Sequence, residues 1–237
     1  MFLRLMIEIF APKETDPLET RASLVPDTVK RLVHLGAKVI VESGAGALAQ
    51  VDDAAFEAAG AQISKDRSAS LAVADIVFRV RKPPLNEVSL LKKGSIHASF
   101  LDPFYDKPLI DALAKQGVTA VSLEMMPRTT LAQKMDALSS QASLAGYQAV
   151  LLAADRLNKI LPMMMTPAGT LSPSRVFVVG VGVAGLQAIA TAKRMGARVE
   201  AFDTRPVVKE QVESLAAKFI EIDIGETGQT AQGYAKE

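Results

Sequence analysis

A fixed spacing of three glycines constrains this chain more than any other feature. The glycines are Gly180, Gly182 and Gly185. A β-branched, apolar run at 175–179 precedes them, and a helical pattern follows at 184–195. A second strand pattern then ends in Asp203. Strand, glycine turn, helix, strand and terminal acid in this order are typical of a dinucleotide-binding βαβ unit.

Each position of the predicted turn has a physical task. Gly180 permits a tight turn, Gly182 lets backbone N–H groups approach a pyrophosphate, and Gly185 lets helix and strand pack closely. The helix N-terminus offers unpaired N–H groups and the positive end of the helix dipole to the phosphates. Asp203 lies where a carboxylate can accept hydrogen bonds from the adenosine ribose hydroxyls.

The choice between the two dinucleotides depends on residues 203–205. Asp203 would repel a 2′-phosphate and favours NAD(H), whereas Arg205 could accept one. We prefer NAD(H) because the acid ends the strand and the arginine lies beyond it. The predicted cofactor-binding residues are Gly180, Gly182, Val183, Gly185, Asp203, Thr204 and Arg205. The alternative is a glycine turn in a parallel-sheet protein that binds no nucleotide.

Composition excludes several other classes of site. The chain has 237 residues, enough for two domains, and a net charge of +1, which gives no positive excess suited to nucleic acid. Cysteine is absent, so there is neither a disulfide framework nor a thiolate metal site. His34 and His97 lie far apart and outside any ligand-spaced cluster, so no metal site is predicted.

Alternating strand and helix patterns predict a parallel sheet covered by helices on both faces. The strand patterns of the first half are 6–10, 38–41, 75–80, 95–100 and 119–123. A long helix is predicted over 132–157, and a linker rich in Pro, Gly and Ser over 163–174. We therefore predict an α/β fold with two Rossmann-like, doubly wound parallel-sheet domains, at 1–171 and 172–237.

The second domain is predicted to be incomplete. A dinucleotide fold needs two βαβαβ halves, yet residues 223–237 are polar and lack apolar periodicity. We expect either a truncated chain or strands supplied by another chain.

No membrane or export segment is predicted. The uncharged stretch 137–154 contains too many polar residues for a membrane span, and the N-terminus lacks the pattern of a signal peptide. A cytoplasmic location is therefore expected.

Several stretches resemble one known family. Residues 12–14, 19–21 and 35–46 are similar to the start of the alanine dehydrogenase and transhydrogenase family. A more specific resemblance, to the NAD(H)-binding component of proton-translocating NAD(P) transhydrogenase, lies at residues 128–141, 146–147 and 201–206. The run 233–236 resembles the mobile loop of that component.

The resemblance implies hydride transfer from NADH to NADP⁺, coupled to proton movement. NADP(H) would be bound on a partner, and this chain alone is expected to be inactive. The implied partners are NADP-binding and membrane-embedded subunits, with a homodimer at full length and no nucleic acid. The chain would then lie on the cytoplasmic face of the inner membrane, attached through its partners.

The resemblance also implies a set of residues around the nicotinamide. These are Arg128, Gln133, Asp136 and Ser139, with Tyr234 on a loop that closes over the nucleotide. On the predicted helix, Gln133, Asp136 and Ser139 recur every three residues and would share a broad face. The alternatives are solvated polar residues at a helix N-terminus and, for Tyr234, an aromatic in a frayed terminus.

Two other functions remain open. An amino-acid dehydrogenase of the alanine type needs a proton-transfer group near the nicotinamide. Arg81 and Asp102 occupy the matching positions, and arginine cannot shuttle protons at neutral pH. Arg21 matches the position that binds the substrate carboxylate, although a salt bridge at a helix entry or a surface charge is the simpler explanation. The second alternative is a non-catalytic NADH-binding module.

Overall fold

The computed structural model describes residues 6–127 and 129–222. The chain divides into two compact units, one up to Asp136 and one from Ala137 onward. We describe each unit by itself.

The first unit is built on a six-stranded parallel sheet with the order β3-β2-β1-β4-β5-β6. The strands are β1 (Glu8–Ala11), β2 (Lys38–Glu42), β3 (Gln62–Ser64), β4 (Ile76–Phe78), β5 (Ile96–Ser99) and β6 (Thr119–Ser122). The helices are α1 (Pro26–His34), α2 (Asp53–Ala58), α3 (Arg67–Val73) and α4 (Lys107–Gln116). The order reverses between β1 and β4, which is the switch point of a doubly wound sheet.

Both faces of this sheet are buried. In β1, Ile9 and Ala11 belong to one apolar cluster and Phe10 belongs to another. Successive side chains of a strand point to opposite faces, so the two clusters lie on opposite sides of the sheet. Continuous apolar strands such as β1 are typical of a sheet covered by helices on both sides.

Aspartates begin three of the covering helices. The side chains of Asp52, Asp66 and Asp106 each accept a hydrogen bond from a first-turn backbone N–H of α2, α3 and α4. This satisfies an N–H group that has no partner within the helix. Gly117 ends α4 with φ at +75°, a conformation that glycine adopts without steric cost.

The second unit contains a three-stranded parallel sheet with the order β11-β10-β9 and a separate antiparallel hairpin, β7-β8. Its helices are α5 (Ala137–Arg156), α6 (Val183–Arg194) and α7 (Lys209–Ser214). Its strands are β7 (Met164–Thr166), β8 (Gly169–Leu171), β9 (Arg175–Val179), β10 (Arg198–Phe202) and β11 (Lys218–Phe219). The parallel sheets and their order confirm the predicted α/β, doubly wound fold class.

Helix α5 packs closely on α6. A Cβ atom added to Gly146 would lie 2.1 Å from the carbonyl oxygen of Ala184, so only glycine fits at this contact. This packing explains why the chain divides between Asp136 and Ala137, whereas the sequence predicted a domain boundary at residues 171 and 172. Helix α5 therefore belongs to the unit that contains α6.

Two local predictions were wrong, and two short elements were not predicted. The helix predicted over 132–157 begins only at Ala137, and the linker predicted at 163–174 contains the β7-β8 hairpin. Strand β3 and helix α3 had no counterpart in the sequence prediction, because three-residue and seven-residue elements show little periodicity.

In the described part of the chain, no helix is long and apolar enough to cross a membrane.

Candidate functional site

The glycine turn lies between the end of β9 and the start of α6. Gly180 has φ at +89°, and its N–H donates to the carbonyl oxygen of Phe202 at 2.9 Å, which ties the turn to the end of β10. Helix α6 begins at Val183, and its N-cap is Gly182, which has no side chain to cap the helix. The first turn of α6 therefore presents backbone N–H groups at the carboxyl end of the sheet.

The two remaining glycines of the turn have opposite surroundings. Nothing lies within 4 Å of the position that a Cβ on Gly182 would occupy, so the turn is open there. A Cβ on Gly185 would lie 1.9 Å from the carbonyl oxygen of Gly180. The first observation fits the close approach of a phosphate group, and the second fits tight packing of helix on strand.

Asp203 follows β10, and its carboxylate is hydrogen-bonded to the glycine turn. Its carboxylate accepts the Val181 N–H at 2.7 Å and the Arg205 backbone N–H at 2.8 Å. The Arg205 guanidinium donates Nε to Oδ1 at 2.9 Å and Nη2 to Oδ2 at 3.0 Å. The same Nη2 also donates to the Val181 carbonyl oxygen at 3.1 Å. The acid, the arginine and the glycine turn therefore form one hydrogen-bonded cluster.

The opposite charges of Asp203 and Arg205 in this cluster stabilise each other. Burial of the Asp203 carboxylate opposes its ionisation, but hydrogen bonds from Arg205 and Val181 outweigh burial and hold its pKa below the usual range. The hydrogen bonds to Asp203 raise the pKa of Arg205. Asp203 is consequently a carboxylate at neutral pH, with acceptor oxygens at the carboxyl end of β10.

The polar segment before α5 differs from its prediction. Gln133 begins a short 3₁₀ turn that ends at Met135, and Asp136 follows with ψ at 87°, which is outside the helical region. Only Ser139 lies inside α5. The prediction that Gln133, Asp136 and Ser139 share one helical face was therefore wrong, because the helix is interrupted at Asp136.

The remaining predicted residues fall into two groups. Val183 is the first residue of α6, and Thr204 lies between Asp203 and Arg205 beyond β10. Arg128 and Tyr234 lie outside the described residues. In the described ranges 6–127 and 129–222, no group of His, Cys, Asp and Glu side chains could hold a metal ion.

The sequence analysis missed a buried carboxylate in the first unit, Glu19. It accepts Nε and Nη2 of Arg21, each at 2.7 Å, and Nε of Arg81 at 2.8 Å. Hydrogen bonds from Arg21 are the main cause of a Glu19 pKa of about 2; burial opposes the shift and Arg81 adds to it. The only sequence signal was a glutamate two residues before Arg21, which is common on protein surfaces.

The Glu19 ion pairs bear on the dehydrogenase alternative. Arg81 is engaged by Glu19, and Asp102 lies 3.5 Å from the Nζ atom of Lys82. An arginine cannot shuttle protons at neutral pH, so position 81 lacks the proton-transfer group that oxidation of an amine requires.

The strand orders, the glycine turn and the acid after β10 define the chain as a Rossmann-type α/β protein. The family model for the alanine dehydrogenase/PNT N-terminal domain matches residues 10–145, and the model for the C-terminal domain of the same name matches residues 149–236. The chain therefore belongs to the alanine dehydrogenase/PNT family. Membership of this family implies binding of a nicotinamide nucleotide.

Known relatives divide into two groups. A subunit alpha polypeptide of the NAD(P) transhydrogenase of Rhodospirillum rubrum is 50% identical over 98% of this chain. The solved transhydrogenase of Sinorhizobium meliloti is 48% identical, with a TM-score of 0.89 over 93% of this chain and 63% of its own. Alanine dehydrogenase of Halomonas elongata is 31% identical over 83% of this chain and 53% of its own. The chain is thus more similar to the transhydrogenases, and it spans 62% of the Rhodospirillum rubrum relative.

Proposed function

We propose that this chain is the NAD(H)-binding component of a proton-translocating NAD(P) transhydrogenase. The observation that carries the proposal is the open glycine turn at the N-terminus of α6, held by the acid that follows β10. The similarity of the chain to transhydrogenase subunits supports this function over that of an alanine dehydrogenase. NADP(H) would be bound by a partner subunit, a membrane-embedded subunit would couple the reaction to proton movement, and the chain would lie on the cytoplasmic face.

The residues of the second unit divide the binding task. Backbone N–H groups at the start of α6 would bind the pyrophosphate, and Gly182 leaves space for it. The Asp203 carboxylate would accept hydrogen bonds from the adenosine ribose. Val183, Thr204 and Arg205 would complete the walls of this pocket.

The polar segment before α5 would orient the nicotinamide. The amide of Gln133 and the hydroxyl of Ser139 are suited to pair with a carboxamide, which both donates and accepts hydrogen bonds. Asp136 and Arg128 would fix the segment, and Tyr234 would close over the ring. Two copies of the chain would associate as a homodimer.

This arrangement needs no acid or base. When bound, NADH supplies a hydride to the nicotinamide of NADP⁺, so that NADH is oxidised, NADP⁺ is reduced and no proton is exchanged. The chain's contribution is to hold one ring in a fixed orientation toward the other. The arginine at position 81, which cannot shuttle protons, is compatible with such a reaction.

A reconstitution experiment tests the proposal. The chain is mixed with the NADP-binding component of a transhydrogenase, and hydride exchange between NADH and NADP⁺ is followed by absorbance. We expect exchange that requires both components. Reduction of pyruvate with ammonia would instead establish the dehydrogenase, and NADH binding without exchange would establish a non-catalytic module. Absence of NADH binding at millimolar concentration would overturn the proposal.

Replacing Gln133 with alanine should slow hydride transfer more than it weakens NADH binding. An orienting group acts mainly on the reacting geometry, so its loss lowers the rate by about tenfold to a hundredfold while the dissociation constant changes by about threefold or less. Gln148→Ala, at an exposed position of α5, is the matched control. Equal effects of Gln133→Ala on rate and affinity would contradict the orienting role.

A further inference from the structure

Arg205 is held in place by the acid that it follows. Its guanidinium makes a two-point ion pair with Asp203 and a third hydrogen bond to the Val181 carbonyl oxygen. The side chains are 15% exposed for Arg205 and 7% exposed for Asp203, so water screens the pair only partly. The arginine therefore faces the carboxylate and the glycine turn rather than solvent.

We propose that Asp203 withholds Arg205 from a 2′-phosphate, and that this pair is what makes the site select NADH over NADPH. The inference rests on the proposed function, because it concerns the same nucleotide site. It assigns Arg205 a defined role: the arginine is a latent phosphate-binding group that the neighbouring carboxylate keeps occupied.

Charge explains the selectivity. The ribose that hydrogen-bonds to Asp203 bears the 2′-oxygen, so a 2′-phosphate on that ribose would arrive beside both members of the pair. Asp203 and Arg205 together are neutral, whereas a phosphate monoester brings a charge of about −1.5 to −2 at neutral pH. The phosphate would have to separate the pair and lie beside an unpaired carboxylate. A ribose hydroxyl donates to the same carboxylate without that cost.

The hydrogen bond from Val181 determines which substitution is informative. Asp203 accepts the Val181 N–H, so an alanine at this position would also release the glycine turn. Asparagine has nearly the same shape and retains a carbonyl oxygen that can accept the same N–H. Asp203→Asn therefore removes the charge that occupies Arg205 while preserving the anchor of the turn.

The experiment is a double-substitution cycle with two pairs of ligands. Asp203→Asn, Arg205→Gln, the double variant and the unsubstituted chain are titrated with NADH and NADPH by fluorescence. They are then titrated with 5′-AMP and adenosine 2′,5′-bisphosphate by calorimetry. For Asp203→Asn we expect NADPH affinity to rise by about tenfold or more and NADH affinity to fall by about tenfold. The double variant should lose the NADPH gain. The bisphosphate should follow NADPH, since it carries the 2′-phosphate without the nicotinamide.

The outcomes separate this inference from the proposed function. If the unsubstituted chain binds NADH but Asp203→Asn gains no NADPH affinity, the inference fails and the proposed function stands. An NADPH gain of equal size in the double variant also overturns it, because Arg205 would not be the receptor. If the unsubstituted chain binds neither NADH nor 5′-AMP at millimolar concentration, both are overturned. Thermal unfolding of each variant shows whether a lost affinity reflects a lost fold.

Discussion

Replacing Gly185 with alanine should strongly weaken NADH binding and destabilise the second unit. The new methyl group would lie 1.9 Å from the carbonyl oxygen of Gly180, which is a backbone atom and cannot rotate away. Gly180 is itself tied to Phe202 through its N–H. Either the start of α6 or the glycine turn must move, and both belong to the proposed phosphate site.

The expected magnitudes follow from overpacking. We expect the free energy of unfolding to fall by about 1–3 kcal/mol or more, since side chains cannot relieve a clash with backbone. NADH affinity should fall by about a hundredfold, which corresponds to about 2.7 kcal/mol of binding free energy. Urea unfolding followed by circular dichroism measures the first quantity, and NADH fluorescence titration measures the second.

Gly182→Ala is the matched control for this prediction. Its methyl group would meet nothing within 4 Å, and its φ of −82° is accessible to alanine, so the fold should keep its stability. The methyl group would nevertheless occupy the space that we assign to the pyrophosphate, so NADH binding should weaken. A Gly185→Ala variant that folds and binds NADH normally would show that the turn is not the nucleotide site.

The local structure of the glycine turn could be predicted from sequence, because the glycines are required by the local backbone conformation and by close backbone contacts. Gly180 has the positive φ of a tight turn, and Gly185 lies against the backbone that it was expected to approach. Asp203 was placed correctly after β10 for the same reason, since the end of a strand is visible in the apolar pattern. What these residues bind stays a prediction.

Non-local partners could not be predicted. The pairing of Arg205 with Asp203 and Val181 joins the ends of two strands, and its geometry depends on the register of β9 and β10. Glu19 pairs with Arg81, which is 62 positions further along the chain. The helical interruption at Asp136 also could not be predicted, because Gln133, Asp136 and Ser139 keep the same three-residue spacing whether or not the helix is continuous. Periodicity of three cannot distinguish a continuous helix from a 3₁₀ turn followed by one.

His97 should make the first unit lose stability as the pH falls below about 6.5. It lies on the central region of β5 and is fully buried, with Nε2 at 3.2 Å from the Ser99 hydroxyl. Within the described residues, its Nδ1 has no hydrogen-bond partner. Burial is the main cause that lowers the pKa of His97 from 6.5 to about 3, and the nearby Arg79 charge adds to it.

The sign follows from proton binding. The folded chain keeps His97 neutral down to about pH 3, whereas the unfolded chain protonates it near pH 6.5. Between these values the unfolded state binds one more proton, so acid favours unfolding. The loss should be about 1.4 kcal/mol per pH unit, about 2 kcal/mol by about pH 5 and on the order of 5 kcal/mol in all.

Urea unfolding between about pH 7.5 and pH 5 isolates this effect, because carboxylates titrate mostly below that range. Hydrogen exchange of the β5 amides assigns the loss to the first unit. His97→Gln should flatten the pH dependence even if it lowers stability at every pH, whereas His34→Gln, at an exposed position, should retain it. The slope is the decisive quantity, since a substitution that merely disturbs packing shifts the whole curve without changing proton uptake. An unchanged slope in His97→Gln would mean that His97 binds its proton equally well in the folded and unfolded chain, which would contradict the prediction.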